Sequence, residues 1–321
     1  MSAHPEQALA HAIRFLSIDA IVQAQEGHQG VPLGMAEIAT ALYTRHLKFA
    51  PQDAGWFDRD RVVLSNGHGS MLLYALLHLT GYPAFPIEEL QRFRVLGSVC
   101  EGHPERPHGP ANGIEVTTGP LVQGIANALG MAVAEAYLNA RFGSALVDHF
   151  IYAFVGDGCL QEGIGQEMIS LAGHLRLGKL VLLWDDNQIT DDGSTHLSIS
   201  ENVAERFRVA GWHVIELDGH DIEAAGRRLA TAHEKVPGRP LDAAALDPTH
   251  AGCCTALAAL TAVTHLDEHH RAVGRAHDQI DLAPAPAWGS IIAHDQVQAM
   301  LTQMSQGLAF SQLAHRPGGD R

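Results

Sequence analysis

Several features that would assign a chain to a specialised class are missing from this sequence. Its four cysteines (Cys100, Cys159, Cys253 and Cys254) form no CxxC pair and no zinc-ligand spacing, which favours a reduced, cytoplasmic setting. No run of about 18 or more apolar residues is present, and the first residues lack the charged-then-apolar order of a signal peptide. We therefore do not expect a membrane protein or a disulfide-rich secreted protein.

Positive charge is also scarce. Lys and Arg total 21 against 36 Asp and Glu, which gives a formal net charge of −15. Nucleic acids and anionic membranes are bound through clustered basic side chains, so neither is an expected partner, although a local phosphate site remains compatible with this balance. The apolar content of 46% is typical of a globular protein, and 321 residues are compatible with one large domain or two smaller ones.

Apolar periodicity indicates alternating helices and strands over residues 1–235. Continuous apolar runs at 149–157 and 179–187 have the length of strands and flank a helical segment, which is the order of a βαβ unit. Further strands are predicted at 61–65 and 212–219. We expect an α/β domain of three layers with a doubly wound, mainly parallel sheet.

The composition changes after about residue 235. Residues 236–321 are rich in Ala, His and Pro, and no Val/Ile-rich run of strand length follows residue 235. The last clear amphipathic segment is 295–313. The predicted division is an α/β domain at 1–235 and a divergent tail at 236–321 that need not be fully ordered.

Polar side chains stand at the ends of two predicted strands, in "FVGDGCLQEG" (154–163) and "VLLWDDNQIT" (181–190). Ligands of parallel α/β sheets lie at the carboxyl ends of the strands. Asp157 offers a carboxylate oxygen, Asn187 an amide oxygen and Ile189 a backbone carbonyl, which together suit a divalent cation bound to a diphosphate. Gly156 and Gly158 are expected to provide a tight turn and backbone N–H groups for phosphate. Two ordinary solvated turns are the alternative.

Longer stretches resemble the transketolase family of thiamine diphosphate enzymes. They are "GHQGVPLGMAEIATALY", "DRDRVVLSNGHGSMLLYALLHLTGY", "EGHPE", "GIEVTTGPLVQGIANALGMAVAE", "FVGDGCLQEG" and "GWHVIELDGHD". Together they cover residues 6–235 almost continuously. A dihydroxyacetone synthase-like enzyme is the alternative that the pattern separates least well from a transketolase.

The resemblance implies a thiamine diphosphate-binding fold and gives roles to matching residues. Asp157, Asn187 and the carbonyl of Ile189 would hold Mg²⁺ or Ca²⁺. The residues expected to contact the cofactor are His68, Gly119, Pro120, Leu121, Gly158, Glu162 and Asn187. His28 and His103 would line the substrate channel, where a neutral imidazole can donate and accept protons.

Each of these roles has a plainer alternative. A lone histidine after a glycine is commonly a turn residue, and Glu162 is also an ordinary acid at the start of a helix, where the dipole favours it. The sequence departs from the family at Val122, in "GPLVQG" where the family has "GPLGQG". A β-branched residue there is expected to weaken cofactor binding if the position needs a positive φ.

Complete members of the family carry a second domain, whose glutamate activates the aminopyrimidine ring of the cofactor, and no segment here resembles it. The expected function is therefore the diphosphate-binding half of a transketolase, which moves a two-carbon ketol unit from a ketose phosphate to an aldose phosphate. It would need a homo- or hetero-oligomeric partner with the pyrimidine-binding domain, in the pentose phosphate pathway or in carbon fixation. A truncated or frameshifted inactive fragment and a regulatory metal-diphosphate-binding protein are the alternatives.

Overall fold

The computed structural model of the protein describes residues 5–191, 193–234 and 259–263. The helices in these ranges are α1 (Pro5–Ala24), α2 (Gly30–Gly34), α3 (Ala36–Arg45), α4 (Ser70–Leu79), α5 (Ile87–Leu90), α6 (Gln123–Phe142), α7 (Asp157–Gln161), α8 (Gly163–Leu175), α9 (Val203–Val209) and α10 (Ile222–Glu234). The strands are β1 (Arg61–Leu64), β2 (Ile151–Gly156), β3 (Leu180–Asp186), β4 (Ile189–Thr190), β5 (Gly193–Ser194), β6 (Val214–Leu217) and β7 (Ala259–Val263). Short 3-10 turns lie at Pro51–Asp53, Gly67–Gly69 and Thr195–Leu197.

Five strands form the main sheet, in the order β1-β2-β3-β7-β6. Every neighbouring pair in this sheet is parallel, whereas β4 and β5 form a small antiparallel pair of their own. Parallel neighbours require long crossover connections, and these are supplied here by helices. The predicted parallel α/β sheet is confirmed.

Alternate side chains of β2 enter two different cores. Tyr152 and Phe154 pack with α1, α3, α4 and α10 on one face of the sheet. Ile151, Ala153 and Val155 pack with α6, α8 and α9 on the other face. Since successive side chains of a strand point to opposite faces, this continuous apolar run is buried on both sides, which confirms the expected three layers.

The Ala-rich segment from residue 119 to residue 143 is not helical from its start. Helix α6 begins at Gln123, and residues 119–122 form a turn instead. Val122 has a φ of +69° and a ψ of −24°, a left-handed conformation that cannot be part of a right-handed helix. None of the helices in the described ranges combines the length and the apolarity that crossing a membrane requires.

One strand in the described ranges follows residue 235, although the sequence has no Val/Ile-rich run there. β7, with the sequence "ALTAV", lies between β3 and β6 and pairs with both in parallel. The segment was missed because alanine is a strong helix former and is depleted in strands, so the run lacks the Val/Ile content typical of a buried strand. The predicted boundary at 235 therefore does not coincide with the limit of the sheet, and the amphipathic segment at 295–313 lies outside the described residues.

Candidate functional site

The register of the sheet brings the two polar motifs together. Gly156, the last residue of β2, lies opposite Asp185, near the end of β3. Helix α7 begins directly after β2, at Asp157, and the turn containing Asn187 begins directly after β3. Both motifs therefore lie at the carboxyl edge of the sheet, where ligands of parallel α/β folds are bound.

Asp157 is a buried carboxylate in which a side chain donates a hydrogen bond to one of the two oxygens. The indole Nε1 of Trp184 donates a hydrogen bond to Asp157 Oδ1 at 3.0 Å, and Asp157 is only 7% exposed. Its Oδ2 is buried and has no hydrogen-bond partner among the described residues. Burial, with a contribution from nearby Asp186, raises the pKa of Asp157 to about 7. A buried carboxylate oxygen without a partner is a suitable ligand for a divalent cation, which would supply the missing interaction.

The turn after β3 packs against this carboxylate. Backbone N–H groups of Gln188 and Ile189 favour the ionised form of Asp157 and moderate the rise in its pKa. Asn187 Nδ2 donates to Asp185 Oδ2 at 3.2 Å, and Asn187 Oδ1 accepts from the Ile189 N–H at 3.1 Å. The structure thus brings the three predicted metal-binding residues together.

The predicted metal ligands at this edge are oxygen atoms of different chemical groups. No group of three or more His, Cys, Asp and Glu side chains within the described ranges is arranged to hold a metal ion. The predicted set contains a single carboxylate, that of Asp157, together with the carboxamide of Asn187 and the carbonyl of Ile189. Oxygen ligands of this kind suit the hard cations Mg²⁺ and Ca²⁺ rather than a transition metal.

The two glycines beside Asp157 do not form the tight turn that was expected of them. Gly156 is extended, with a φ of −117°, and Gly158 lies inside α7, so neither has a positive φ. A Cβ atom added at Gly158 would lie 2.9 Å from Leu121 Cδ1, so the Leu121 side chain would have to shift. The close approach places two predicted cofactor contacts, Gly158 and Leu121, against each other.

Three histidines meet beside the same edge. The rings of His28 and His68 are 5.0 Å apart and edge to face. His103 lies against the turn at Gly119, where an added Cβ would be 3.5 Å from His103 Cγ. Burial, reinforced by the two neighbouring imidazoles, lowers the pKa of His68 to about 4, and burial followed by Arg94 lowers that of His103. His68 and His103 are therefore neutral at pH 7 and able to donate and accept protons.

Two other predicted contacts are less distinctive. Pro120 is exposed in the turn before α6, next to Gly119. Glu162 is exposed at the residue preceding α8, where the helix dipole favours an acid without any ligand. The roles of both residues remain predictions.

The structure adds four residues that the sequence reasoning did not assign to the site. Trp184 positions Asp157, and Asp185, which is 2% exposed, has an Oδ1 without a hydrogen-bond partner in the described ranges. Asn66 and Thr118 also carry buried polar atoms without partners there. The available signal was a polar residue near the end of an apolar strand: Asp185 is the next-to-last residue of β3, and Asn66 follows β1 by two residues. Burial raises the pKa of Asp185 to about 7, with Asp157 as the next cause.

The structure is thus a parallel α/β domain with a cluster of buried oxygen and imidazole groups at the carboxyl edge of its sheet. The family model described as "Transketolase, thiamine diphosphate binding domain" matches residues 5–241. The chain belongs to the transketolase family and corresponds to its thiamine diphosphate-binding domain. The resemblance and the fold predicted from the sequence are confirmed.

Similarity extends to individual proteins. The transketolase of Sinorhizobium medicae is 56% identical over 231 residues, covering 72% of this chain and 33% of that protein. The structure of transketolase from Leishmania mexicana has a TM-score of 0.77 and 36% identity, over 98% of this chain and 46% of the other. A transketolase from Pichia stipitis in complex with sedoheptulose-7-phosphate has a TM-score of 0.73 and 35% identity, over 96% and 45%. The chain spans about a third of the length of the curated relatives it matches.

Proposed function

We propose that this chain is the diphosphate-binding half of a transketolase and holds thiamine diphosphate through Mg²⁺ or Ca²⁺ at the carboxyl edge of its sheet. The observation that carries the proposal is the buried Oδ2 of Asp157, which has no hydrogen-bond partner in the described ranges and lies beside the 187–189 turn. A cation there would satisfy the carboxylate and neutralise a diphosphate at once.

Individual residues would divide the binding work. Asp157, the amide of Asn187 and the carbonyl of Ile189 would hold the cation, and His68 with the 119–121 turn and Gly158 would contact the cofactor. Asn187 would have to share or exchange its present bond to the Ile189 N–H. When bound, thiamine diphosphate supplies a nucleophilic ring carbon that carries a ketol unit.

His28 and His103 would serve the substrate. The family resemblance supports a role in the sugar channel, and so does their position near His68 and the 119–121 turn. The lowered pKa of His103 keeps its ring neutral, so that it can bond sugar hydroxyls and move protons between them. The relative from P. stipitis was solved with sedoheptulose-7-phosphate, which supports sugar phosphates as the substrate class for this chain.

The proposed activity needs a second chain or domain for the pyrimidine ring, in a homo- or hetero-oligomer in the cytoplasm. An exposed apolar surface supports such a partner, since monomers rarely expose large contiguous apolar patches. On α6, on the adjacent α8 and just beyond α6 the exposed apolar side chains are Val133, Tyr137, Leu138, Phe142, Leu146, Ile164 and Leu171.

Asp157→Asn tests the proposal. The wild-type chain should bind thiamine diphosphate in calorimetry only with Mg²⁺, and the variant should bind at least about 100-fold more weakly, because a cation loses its charged ligand. The melting temperature of the ligand-free variant should be unchanged or higher, since a costly buried carboxylate is removed. Ketol transfer should appear only when a pyrimidine-domain chain is added, and only with Asp157 in place.

Asp53→Asn is the matched control, because it removes an exposed carboxylate that is outside the site. It should leave binding unchanged. Equal affinity of the Asp157→Asn variant and the wild type would refute the metal assignment. Normal binding without turnover, even with the pyrimidine domain of a relative, would instead favour the alternative of an inactive fragment.

A further inference from the structure

Asn66 is a buried amide with no hydrogen bond in the described part of the chain. It follows β1 by two residues and is 1% exposed. Neither its Nδ2 nor its Oδ1 has a partner there. Because a buried polar group without a partner costs free energy, native structures retain few of them, and each calls for a physical reason.

The surroundings of Asn66 suggest that reason. A Cβ added at Gly156 would lie 3.8 Å from Asn66 Nδ2, so the amide faces the end of β2 just before Asp157. A Cβ at Gly67 would lie 2.6 Å from Thr118 Oγ1 and 3.0 Å from the backbone N of Gly119. Asn66 therefore lies where the segments that carry the predicted cation site, the 119–121 turn and His68 converge.

Thr118 strengthens the pattern. Its side-chain oxygen is also buried, 3% of the residue is exposed, and no partner for it exists in the described ranges. The two side chains together offer an amide N–H and a hydroxyl, both of which can donate to an anionic oxygen. Hydrogen-bond donors without acceptors, next to a predicted cation site, match the chemistry of a diphosphate.

We propose that Asn66 is a binding contact of the cofactor's diphosphate, with the Asn66 Nδ2 group donating to a phosphate oxygen and Thr118 donating beside it. This inference rests on the proposed function, since it deepens the same site. The Asn66 amide would then lack a partner only in the ligand-free chain, because its hydrogen-bond acceptor is a phosphate oxygen of the cofactor.

Replacing the amide by an apolar group of the same shape tests the inference. Asn66→Leu removes two unpaired polar atoms and Thr118→Val removes one, so the ligand-free variants should melt at or above the wild-type temperature. Calorimetry with Mg²⁺ should show that Asn66→Leu weakens thiamine diphosphate binding by about 10- to 100-fold, as expected for a hydrogen bond to a charged group. Inorganic pyrophosphate with Mg²⁺ should lose affinity by the same factor.

Thr40→Val provides a matched control. Thr40 lies in the middle of α3, is fully buried, and its Oγ1 likewise has no partner in the described ranges. The substitution should preserve or raise the melting temperature in the same way and leave both binding constants unchanged. A change in binding specific to Asn66 and Thr118 therefore cannot come from the loss of an unpaired polar atom in general.

Three results would overturn the inference. Binding of Asn66→Leu within twofold of the wild type would exclude a ligand contact. A lower melting temperature or failure to fold would show that the amide is paired within the chain. Loss of affinity for thiamine diphosphate but not for pyrophosphate would place the contact elsewhere on the cofactor. If the wild type binds neither probe, the proposed function fails as well, whereas loss of binding in Asp157→Asn alone leaves that function standing without this contact.

Discussion

The pairing of buried polar groups differs between the two edges of the sheet, the amino edge where the parallel strands begin and the carboxyl edge where they end. At the amino edge, Asp60 is buried and both of its oxygens accept backbone N–H groups, from Lys48 at 2.7 Å and Phe150 at 2.8 Å. At the carboxyl edge, Asp157 and Asp185 are just as buried, yet each retains an oxygen without a partner in the described ranges. Buried polar groups are normally paired, so the unpaired oxygens of Asp157 and Asp185 support the proposed ligand site at the carboxyl edge.

Histidines show the same contrast. At the amino edge, His233 Nε2 and the Tyr152 hydroxyl are 2.7 Å apart, and His149 Nδ1 lies 3.1 Å from Asp58 Oδ1. At the carboxyl edge, His28 and His68 contact each other beside the predicted cofactor turn. The rings at the amino edge interact with other side chains of the protein, whereas the rings at the carboxyl edge are grouped beside the proposed cofactor site. Substitutions at the amino edge should therefore lower the stability of the protein, and substitutions at the carboxyl edge should weaken ligand binding.

The same chemical change should have opposite effects at the two edges. Glu115→Gln removes a carboxylate that pairs with Arg59, with Arg59 Nη2 bonding Glu115 Oε2 at 3.1 Å, and Arg61 Nε lies 3.7 Å from that oxygen. The substitution leaves the buried guanidinium of Arg59 without its ion-pair partner and takes one of several nearby carboxylates from the half-buried Arg61. We expect a loss of about 3 kcal/mol in the free energy of unfolding, measured by urea denaturation.

Asp157→Asn, measured in the same way without ligand, is the counterpart at the carboxyl edge. It should change the free energy of unfolding by less than about 1 kcal/mol or raise it, because Trp184 can still donate to the amide oxygen. Equal losses in the two variants would mean that the carboxyl edge is as fully paired as the amino edge, and would remove the basis of the comparison.

A smaller effect is expected from pH at the amino edge. Burial, with nearby His46 as the second cause, lowers the pKa of His233 from 6.5 to about 4 in the folded protein. The unfolded chain therefore binds a proton more readily between these values, so this stabilisation is complete above pH 6.5 and is lost as the pH falls toward 4. His233→Gln, which keeps a hydrogen bond to Tyr152, should reduce the fall in unfolding free energy by about 2 kcal/mol over that range.

Urea denaturation of the wild type and His233→Gln at pH 7 and pH 4.5 measures this difference. The variant His174→Gln removes a histidine in the last turn of α8, on the opposite face of the sheet, and should leave the pH dependence as it is. Parallel curves for wild type and His233→Gln would show that His233 is accessible to protons in the folded state.

Local sequence was enough to predict strands β2 and β3 and the polar residues at their ends. The runs at 149–157 and 179–187 are continuously apolar at 150–155 and 180–184 and end in polar residues. The burial of the strands and the polar character of their ends can therefore be predicted from the local sequence. β7 could not be predicted, because "ALTAV" becomes a strand through its two neighbours rather than through its own composition. The unpaired state of Asn66 was also hidden, since pairing depends on which distant groups pack around the amide.

The smallest predicted effect concerns backbone strain at the carboxyl edge. The sequence predicts weaker cofactor binding if residue 122 needs a positive φ, and the structure has a positive φ there. Val122 is buried with a φ of +69°, a conformation that disfavours any residue with a Cβ. Val122→Gly and Val122→Ala both remove the buried side chain, so their difference isolates the backbone. We expect the glycine variant to be more stable than the alanine variant by about 1 kcal/mol in urea denaturation. At Ala128, inside α6, glycine should instead be less stable than alanine by about that amount. If alanine were the more stable residue at both positions, residue 122 would not have a left-handed backbone conformation. The carboxyl edge would then carry no backbone strain at this turn.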